Sequence, residues 1–439
     1  MSVIMAGSAV KTMSLMAVRM ISGTMGSAMN YSLAYYSSNR KIGSLAVVEC
    51  RDGKTAVRTL PLDSESGLEA ALKPLLIGVT GDCKVILLDP QSKKLSINNA
   101  LLSDAFPAHL YSDPGSERDW FMNDGDKESG NDTLNCGDKG SSVTVVENTG
   151  SAQAKWLKTL CVGRGHHQAC FAYPSPSAPR VPKRAYISNL KDGTISVIGN
   201  DPADAASYLQ VVATINLCEP EREEGEGGLT VPNNAFPHGL AYSPLTGKLY
   251  NLNNGYGTVA VIDPLSNVIE ERIAFKGYSN LFVSPDGRYL IGRGADRKSD
   301  PAHVIGKLSV LDVTTKAVVD KLDLPDIYIS KYYYNPEGTK LYLTTASSGS
   351  PEQQKSLKTD VLLVLDMTAL PKLKLLKEVK VGSSGALAFY GENGLSRRVF
   401  SSDSQAGSLV VLDADQDTVV ETIAVAEGQP HSRIWMLSQ

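Results

Sequence analysis

The sequence lacks several patterns that mark familiar classes of binding protein. Its six cysteines form no CxxC or CxxCH motif, which argues against a zinc ribbon, a thioredoxin-like site and a covalently attached c-type haem. A net charge of −4 leaves no basic surface of the kind that nucleic acid needs. No apolar run reaches the roughly 18 residues of a membrane-spanning helix. We therefore expect neither a nucleic-acid partner nor a transmembrane segment.

Methionine is scarce after residue 30, because seven of the ten methionines lie before it. Lys11 and Arg19 interrupt this glycine- and serine-rich stretch, so it lacks the continuous apolar core of a secretory signal. Thioethers suit copper(I), although methionines more often fill an apolar face. We treat residues 1–30 as a methionine-rich N-terminal arm and residues 31–439 as one folded domain.

Short runs of β-branched and aromatic residues, bounded by Gly, Pro and Asn, recur through that domain and predict strands. The clearest run has the form apolar-x-apolar-x-acid, with Gly199 and not an acid closing one copy. It occurs eight times, about 40 to 65 residues apart, a spacing typical of β-propeller blades. The eight copies begin at Leu45, Val85, Val143, Ile195, Val259, Leu308, Leu362 and Leu409.

These repeats predict an all-β fold, a single β-propeller of eight four-stranded blades. The N-terminal blade begins at its second strand, and residues 431–437 at the other end of the chain form a suitable first strand. We therefore expect closure by the C-terminal strand, which completes the N-terminal blade and protects strand edges. The first strand of the second blade, near residues 68–72, is poorly formed, so a seven-bladed ring is the alternative.

Three stretches carry a more specific pattern of strand, turn and strand. They resemble the YVTN-type, YncE-like β-propeller repeats, and the resemblance extends over nearly the whole chain after residue 30. It implies the propeller fold and leaves the function open, because such folds host many functions. The stretches are residues 184–198, 248–263 and 407–413.

Histidine is also scarce, and its positions point to one face of the propeller. That face collects every fourth-to-first and every second-to-third strand connection, and four long insertions (residues 123–140, 219–237, 292–306 and 346–359) also fall on it, where function usually lies. All six histidines are expected there, mostly near the innermost strands. Imidazoles from different blades can converge on one metal ion. The predicted metal ligands are His109, His166, His167, His238, His303 and His431.

Three cationic residues on the same rim are candidates for contact with a substrate. Lys331 occupies the blade position of His109, with Asn280 at a similar one, and could stabilise negative charge. Arg164 and Arg293 could hold an anionic substrate. The alternative for the histidines is structural, since Pro-His or Gly-His at a strand start can simply bond to neighbouring backbone.

The histidine-lined face is similar in outline to copper-bearing propellers such as nitrous oxide reductase and thiocyanate dehydrogenase, although their fuller histidine set is not matched. It is also similar to the haem-binding domain of cytochrome-type nitrite reductases. The resemblance implies a copper- or haem-dependent oxidoreductase for a small, anionic molecule in the periplasm or at the cell surface. The rival hypothesis is a non-catalytic propeller that binds a partner protein or serves as an assembly subunit, and the sequence allows an oligomer.

Two loop features complete the predictions. Cys136 precedes a third strand and Cys161 ends the fourth strand that pairs with it, so a disulfide is expected between them. Residues 123–132 combine carboxylate and amide oxygens with glycines, which suits calcium. A solvated acidic loop is the alternative for this segment.

Overall fold

The computed structural model describes residues 29–38, 43–60, 68–70, 75–79, 85–88, 95–98, 107–123, 136, 141–147, 155–224 and 227–438. The described strands form four-stranded antiparallel sheets, eight in number. Helix is confined, in these residues, to α1 (Pro351–Gln354) and two 3-10 turns, Pro220–Arg222 and Met367–Ala369. None of the helices found in the described ranges has the length and apolarity to cross a membrane.

The sheets are numbered in chain order, and each is formed by strands that are consecutive in sequence, with one exception. Sheet 1 holds β1 (Tyr31–Ser38), β2 (Gly43–Arg51), β3 (Lys54–Leu60) and the last strand, β32 (His431–Ser438). Sheet 2 holds β4 (Leu68–Ala70), β5 (Leu75–Val79), β6 (Val85–Leu88) and β7 (Leu95–Asn98). Sheet 3 holds β8 (Pro107–Ser112), β9 (Arg118–Asn123), β10 (Ser142–Glu147) and β11 (Lys155–Cys161). Sheet 4 holds β12 (His166–Ala172), β13 (Arg184–Asn189), β14 (Thr194–Gly199) and β15 (Val211–Asn216).

The remaining sheets repeat this arrangement. Sheet 5 holds β16 (Pro237–Ser243), β17 (Lys248–Asn253), β18 (Thr258–Asp263) and β19 (Val268–Ala274). Sheet 6 holds β20 (Asn280–Val283), β21 (Tyr289–Asp296), β22 (Ile305–Asp312) and β23 (Ala317–Pro325). Sheet 7 holds β24 (Ile329–Tyr334), β25 (Lys340–Thr345), β26 (Val361–Asp366) and β27 (Leu375–Lys380). Sheet 8 holds β28 (Leu387–Glu392), β29 (Leu395–Asp403), β30 (Ser408–Asp413) and β31 (Thr418–Ala424).

Neighbouring sheets pack face to face, and the core lies between them. One apolar cluster joins sheets 4 and 5 through Tyr186, Leu249 and Ile262. Another joins sheets 8 and 1 through Phe400 and Tyr35. The first strands of adjacent sheets also touch, as β12 touches β16 and β28 touches β32. The fourth strands alternate between exposed and partly covered residues, as β19 does, so they form the outer edges. This arrangement is consistent with the predicted β-propeller.

The acid that ends the third-strand repeat caps the turn that follows it. The Asp312 carboxylate accepts the backbone N–H groups of Thr314 and Thr315 at 2.8 and 3.2 Å. The turn then closes with a residue in the left-handed region, Lys316, whose φ is 58°. Asp413 caps its own turn in the same way. The turn into the fourth strand therefore explains the acid at this position, because its buried or partly buried N–H groups need an acceptor.

Several local features agree with the predictions from the sequence. The eight repeated runs lie in β2, β6, β10, β14, β18, β22, β26 and β30, except that Asp89, at the end of the second run, lies outside the described residues. Cys136 and Cys161 form a disulfide, with their Cα atoms 5.5 Å apart. The terminal strand β32 pairs with β1, with Ile434 opposite Tyr35. The N-terminal arm as far as residue 28 lies outside the described residues.

Candidate functional site

The innermost strands give the candidate site a common geometry. Lys331 immediately precedes Tyr332, which pairs with Leu343 on β25, and Leu343 pairs with the second residue of the third-strand repeat, Leu363. In every sheet, the second residue of the third-strand repeat pairs with a second-strand residue, which in turn pairs with a first-strand residue. We call the residue immediately before that first-strand residue the inner-ring position. Its occupants, in sheet order, are Arg433, Glu69, His109, Gln168, Gly239, Asn280, Lys331 and Ala386. The register confirms that Lys331 and Asn280 are equivalent to His109.

The histidines of the first strands do not share one register position. His109 occupies the inner-ring position, whereas His238 and His167 each lie one residue before it, within a bulge of their strands. His431 and His166 lie one residue earlier still. The backbone of His166 and His167 is described, but their side chains lie outside the described part of the structure. Because these histidines occupy three different register positions, their side chains leave the strands in different ways. The repeat alone therefore does not arrange them equivalently around one metal ion.

A cavity of about 620 Å³ opens on the predicted face. Its walls come from sheets 7, 8 and 1, at the starts of first strands and the ends of second strands. It brings together Lys331 and His431, which the sequence predicted, with Arg433, Asp360 and Asp403. Most of the remaining lining residues are small. They combine serine and threonine hydroxyls with alanines, a proline and residues 382–385, a Gly-Ser-Ser-Gly segment. Hydroxyl, amide and charged groups of both signs make this a site for a polar molecule rather than an apolar one.

Lys331 lines this cavity and makes two hydrogen bonds there. Its Nζ donates to the carbonyl oxygen of Gly385 over 2.8 Å, and its backbone N–H donates to Thr344 Oγ1 at 3.1 Å. Gly385 must be small here, because a Cβ on it would lie 2.7 Å from Ser432 Oγ. Asp403 is held in place as well, since its Oδ1 accepts the Ser383 N–H at 3.1 Å. The cavity is therefore built from side chains with fixed positions.

Three of the predicted residues, His109, His238 and Arg293, are close enough to interact electrostatically. Burial first, then the charge of Arg293, and then His109, lower the pKa of His238 to about 4. His238 is therefore neutral at pH 7, the protonation state in which an imidazole can bind a metal ion. Arg293 carries a fixed positive charge beside it, and that charge opposes any cation bound at His238.

The chain is similar in fold to several solved structures. No protein-family model matches it, and no curated protein matches its sequence. Hydrazine synthase from Kuenenia stuttgartiensis has a TM-score of 0.50 at 13% identity, over 76% of this chain and 91% of that one. The dihydro-heme d1 dehydrogenase NirN, in complex with DHE, has 0.54 at 14% identity, over 84% and 67%. Apo AztD from Citrobacter koseri has 0.50 at 12% identity, over 93% and 98%.

The fold is that of a β-propeller. At identities this low the likeness concerns the fold alone, and the chemistry of the site depends on this chain's own residues.

Arg293 uses its side chain to join two sheets of the propeller. Its Nη1 donates to the carbonyl oxygens of Ile329 and Ser330, at 2.7 and 2.5 Å. Both carbonyls belong to the start of β24, directly before Lys331. Arg293 thereby positions the strand that carries Lys331. It does not line the cavity, and the substrate contact that the sequence predicted for it stays a prediction.

Two other predicted residues are engaged in ion pairs of their own. Arg164 Nε donates to Asp192 Oδ1 at 2.6 Å, and the Arg164 backbone N–H donates to Asp192 Oδ2 at 2.8 Å. His303 Nδ1 lies 2.7 Å from Asp326 Oδ1. Neither residue lines the cavity. Their predicted roles as a substrate contact and a metal ligand stay predictions.

The metal prediction rests on side chains that are only partly described. Among the described residues, no group of three or more His, Cys, Asp or Glu side chains is placed to hold a metal ion. His109 and His238 interact electrostatically, and the side chain of His167 lies outside the described part of the structure. The calcium segment, residues 123–132, is described only at Asn123, whose amide Nδ2 donates to Ser142 and Thr144 hydroxyls.

Sequence reasoning missed Arg433, Asp403 and Asp360 as site residues. Arg433 could have been found by aligning β32 with the other first strands, because it falls at the position of Lys331. Asp403 replaces the asparagine that ends β13 in the repeat, and a carboxylate at that position is a local departure from the pattern. Nothing local singles out Asp360, which joins the cavity only because sheets 7 and 8 pack side by side.

Proposed function

We propose that this protein is a closed, eight-bladed propeller of the YVTN type that binds a small, polar, anionic molecule on its channel face. The observation that carries the proposal is that Lys331, His431 and Arg433, from two innermost strands, line one cavity. Lys331 and Arg433 are at equivalent positions of their strands. The presence of eight four-stranded sheets and the pairing of β32 with β1 support the closed ring.

The lining of the cavity suggests which anion suits it. Lys331 and Arg433 present an ammonium and a guanidinium, which bind carboxylates and other oxyanions. Asp360 lies 3.3 Å from Lys380, which partly offsets its charge at the rim. Serine and threonine hydroxyls on the other walls favour a ligand with additional oxygen or nitrogen atoms. A small carboxylate or inorganic oxyanion is the ligand class we propose.

We further propose that the reaction, if the site is catalytic, is an oxidation or reduction supported by copper or haem. Such a cofactor would supply electron transfer, and His109, His167 and His238 from three adjacent first strands would hold it. The support is the proximity of His109 and His238 and the shared register of His167 and His238. The positive charge of Arg293 disfavours the binding of a metal ion alone. It favours a cofactor that carries negative charge.

A non-catalytic function is favoured by a different observation. The insertion 219–237 exposes Leu229 and Val231, which retain 68% and 54% of their accessible surface. The segment is anchored through Glu219, whose buried carboxylate lies 3.4 Å from Arg272 Nε on β19. A firmly anchored insertion with exposed apolar side chains suits a partner protein or a second subunit. The disulfide suits a periplasmic or cell-surface location for either function.

The test begins with protein purified without chelator. Elemental analysis and a visible spectrum report on copper or haem, and thermal unfolding in acetate, phosphate, sulfate and nitrite reports on anion binding. We expect at least one anion to raise Tm in wild type but not in Lys331→Met, with Lys355→Met on an exposed helix as the matched control. No Tm shift with any anion, together with metal-free and colourless protein, would contradict the proposal.

A further inference from the structure

The cavity between sheets 7, 8 and 1 carries charges of both signs. Its cationic side chains are Lys331 and Arg433, and its carboxylates are those of Asp360 and Asp403. Asp360 lies 3.3 Å from Lys380, whose positive charge partly offsets it. Asp403 has no such neighbour, because no lysine, arginine or histidine among the described residues forms an ion pair with it. A ligand in this cavity therefore meets one carboxylate whose charge the protein leaves unbalanced.

Asp403 occupies a position that belongs to asparagine in three other sheets. It ends the second strand of sheet 8 and pairs with the first residue of the third strand, Ser408. In sheets 3, 4 and 5 the residues with this pairing are Asn123, Asn189 and Asn253. The exchange of an amide for a carboxylate gives sheet 8 a negative charge that those three sheets lack at this position.

The carboxylate cannot make the hydrogen bonds that explain asparagine elsewhere. In sheet 4, Asn189 Nδ2 donates to Thr194 Oγ1 and Ser196 Oγ on the third strand, at 3.1 and 2.9 Å. An ionised carboxylate has no hydrogen to donate, and Val410 stands in sheet 8 where Ser196 stands in sheet 4. Asp403 is therefore not a copy of a structural residue of the repeat.

Backbone contacts hold the Asp403 carboxylate at the cavity. Its Oδ1 accepts the N–H groups of Ser383 and Ala406, at 3.1 and 3.3 Å. Gly382 packs so closely against the carboxylate that a Cβ at this glycine would clash with Oδ2. Within the described part of the chain, Oδ2 accepts no hydrogen bond. One oxygen of a fixed carboxylate is thus available to a donor on a ligand.

Lys331 and Asp403 are bonded to the two ends of one short segment. Lys331 Nζ donates to the carbonyl oxygen of Gly385 at 2.8 Å, whereas Asp403 accepts the N–H of Ser383. Ser383 and Gly385 are two residues apart, so their Cα atoms lie within about 7 Å of each other. The cavity therefore presents an ammonium and a carboxylate close enough for one small molecule to reach both.

We propose that the cavity binds a small aminocarboxylate, a molecule with both a carboxylate and an ammonium group, and that Asp403 determines this specificity by accepting the ammonium. Lys331 and Arg433 bind the carboxylate of the ligand. A plain carboxylate would cover the half-buried charge of Asp403 without pairing with it, which costs free energy. The inference rests on the proposed function, because it narrows the ligand class of the same cavity.

Isothermal titration calorimetry at pH 7 with matched pairs of ligands tests this specificity. The pairs are acetate with glycine, propionate with β-alanine, and butyrate with 4-aminobutyrate, and the members of each pair differ by one amino group. For wild type, the amino member of at least one pair should bind about tenfold or more tightly than its partner, because its ammonium gains a charge-assisted hydrogen bond.

Asp403→Asn removes the negative charge and keeps an oxygen that can accept the Ser383 N–H. The affinity for the amino member should fall to that of its partner, and the affinity for the partner should be unchanged or higher. Retained binding of the partner shows that the variant is folded. Asp415→Asn removes an exposed carboxylate of the same sheet outside the cavity, so this matched control should behave as wild type.

Equal affinity within every pair for wild type would overturn the inference, and so would a preference for the amino member that persists in Asp403→Asn. In both cases the carboxylates still bind, so the proposed anion site is left standing. Failure of all six compounds to bind would also overturn the inference. Titration with phosphate and sulfate then shows separately whether the cavity binds anions.

Discussion

The Nζ of Lys331 donates to the carbonyl oxygen of Gly385, 2.8 Å away, and so joins the first strand of sheet 7 to the segment that leads into the first strand of sheet 8. The same lysine lines the cavity. Because Lys331 bridges two sheets and also lines the cavity, its replacement should affect both the stability of the fold and binding in the cavity.

Lys331→Met keeps the length of the side chain but removes the ammonium and its hydrogen bond to Gly385. Loss of one hydrogen bond from a charged donor should lower the free energy of unfolding by about 1–2 kcal/mol. Urea denaturation measures this change, and Lys355→Met, on an exposed residue, should leave the free energy within about 0.5 kcal/mol of wild type. An unchanged midpoint in Lys331→Met would show that the bridge carries no stability.

Arg293→Met should change the ionisation of a histidine that it does not replace. The positive charge of Arg293 helps to lower the pKa of His238 to about 4, after the larger effect of burial. Its removal should raise that pKa towards the ordinary value, so that His238 becomes protonated at a higher pH. An NMR titration of the His238 ring measures the shift, with Arg288→Met on the opposite face as the control. An unchanged pKa of His238 would show that the charge of Arg293 does not act on this histidine.

The same variant should also be less stable. Two backbone carbonyls at the start of β24 lose their donor, and partly buried acceptors without a partner cost about 1–3 kcal/mol. Calorimetry of Arg293→Met measures this loss. Arg293→Lys should recover only part of it, since one ammonium replaces a guanidinium whose Nη1 reaches both Ile329 and Ser330. Full recovery by lysine would argue against a geometric role for the guanidinium.

Asp312→Ala should destabilise the turn between β22 and β23. The carboxylate accepts two backbone N–H groups and lies 3.3 Å from Arg288, so the loss should be about 1–2 kcal/mol at pH 7. Burial acts to raise the pKa of Asp312, but these partners lower it overall. Its stabilisation is present above the unfolded pKa of about 3.9 and is lost as the pH falls.

The difference between wild type and Asp312→Ala should therefore shrink in acid, which denaturation at pH 7 and in mild acid will measure. Asp415→Asn, an exposed residue in the equivalent turn of sheet 8, should show no such dependence. A constant difference at both pH values would mean that the carboxylate charge is not what holds the turn.

Reduction of the Cys136–Cys161 disulfide should lower the free energy of unfolding, because the unfolded chain gains conformational entropy. The bond closes a segment with a sequence separation of 25 residues, and the loop-closure entropy of such a segment corresponds to about 3.5 kcal/mol. Thermal unfolding with and without reductant measures the difference. The double replacement Cys136→Ala and Cys161→Ala should show the lower Tm without reductant and no further response to it.

The strands and their order along the chain could be predicted from the sequence because both follow from local patterns. The third-strand repeat alternates at the period of a strand, and its acid caps the next turn within three residues, as Asp312 does. The disulfide was predictable for the same reason, since hairpin pairing of β10 with β11 brings Cys136 and Cys161 together. Such features need no knowledge of distant contacts.

The composition of the site was decided by tertiary structure. Lys331 and Arg433 are about a hundred residues apart in sequence, and they share a cavity because sheets 7, 8 and 1 pack in succession. Arg164 and His303, predicted for the same site, are instead engaged by Asp192 and Asp326. The sequence placed the candidates on one face, but which side chains meet depends on register, bulges and the packing of one sheet against the next, and these are set by non-local burial rather than by neighbouring residues.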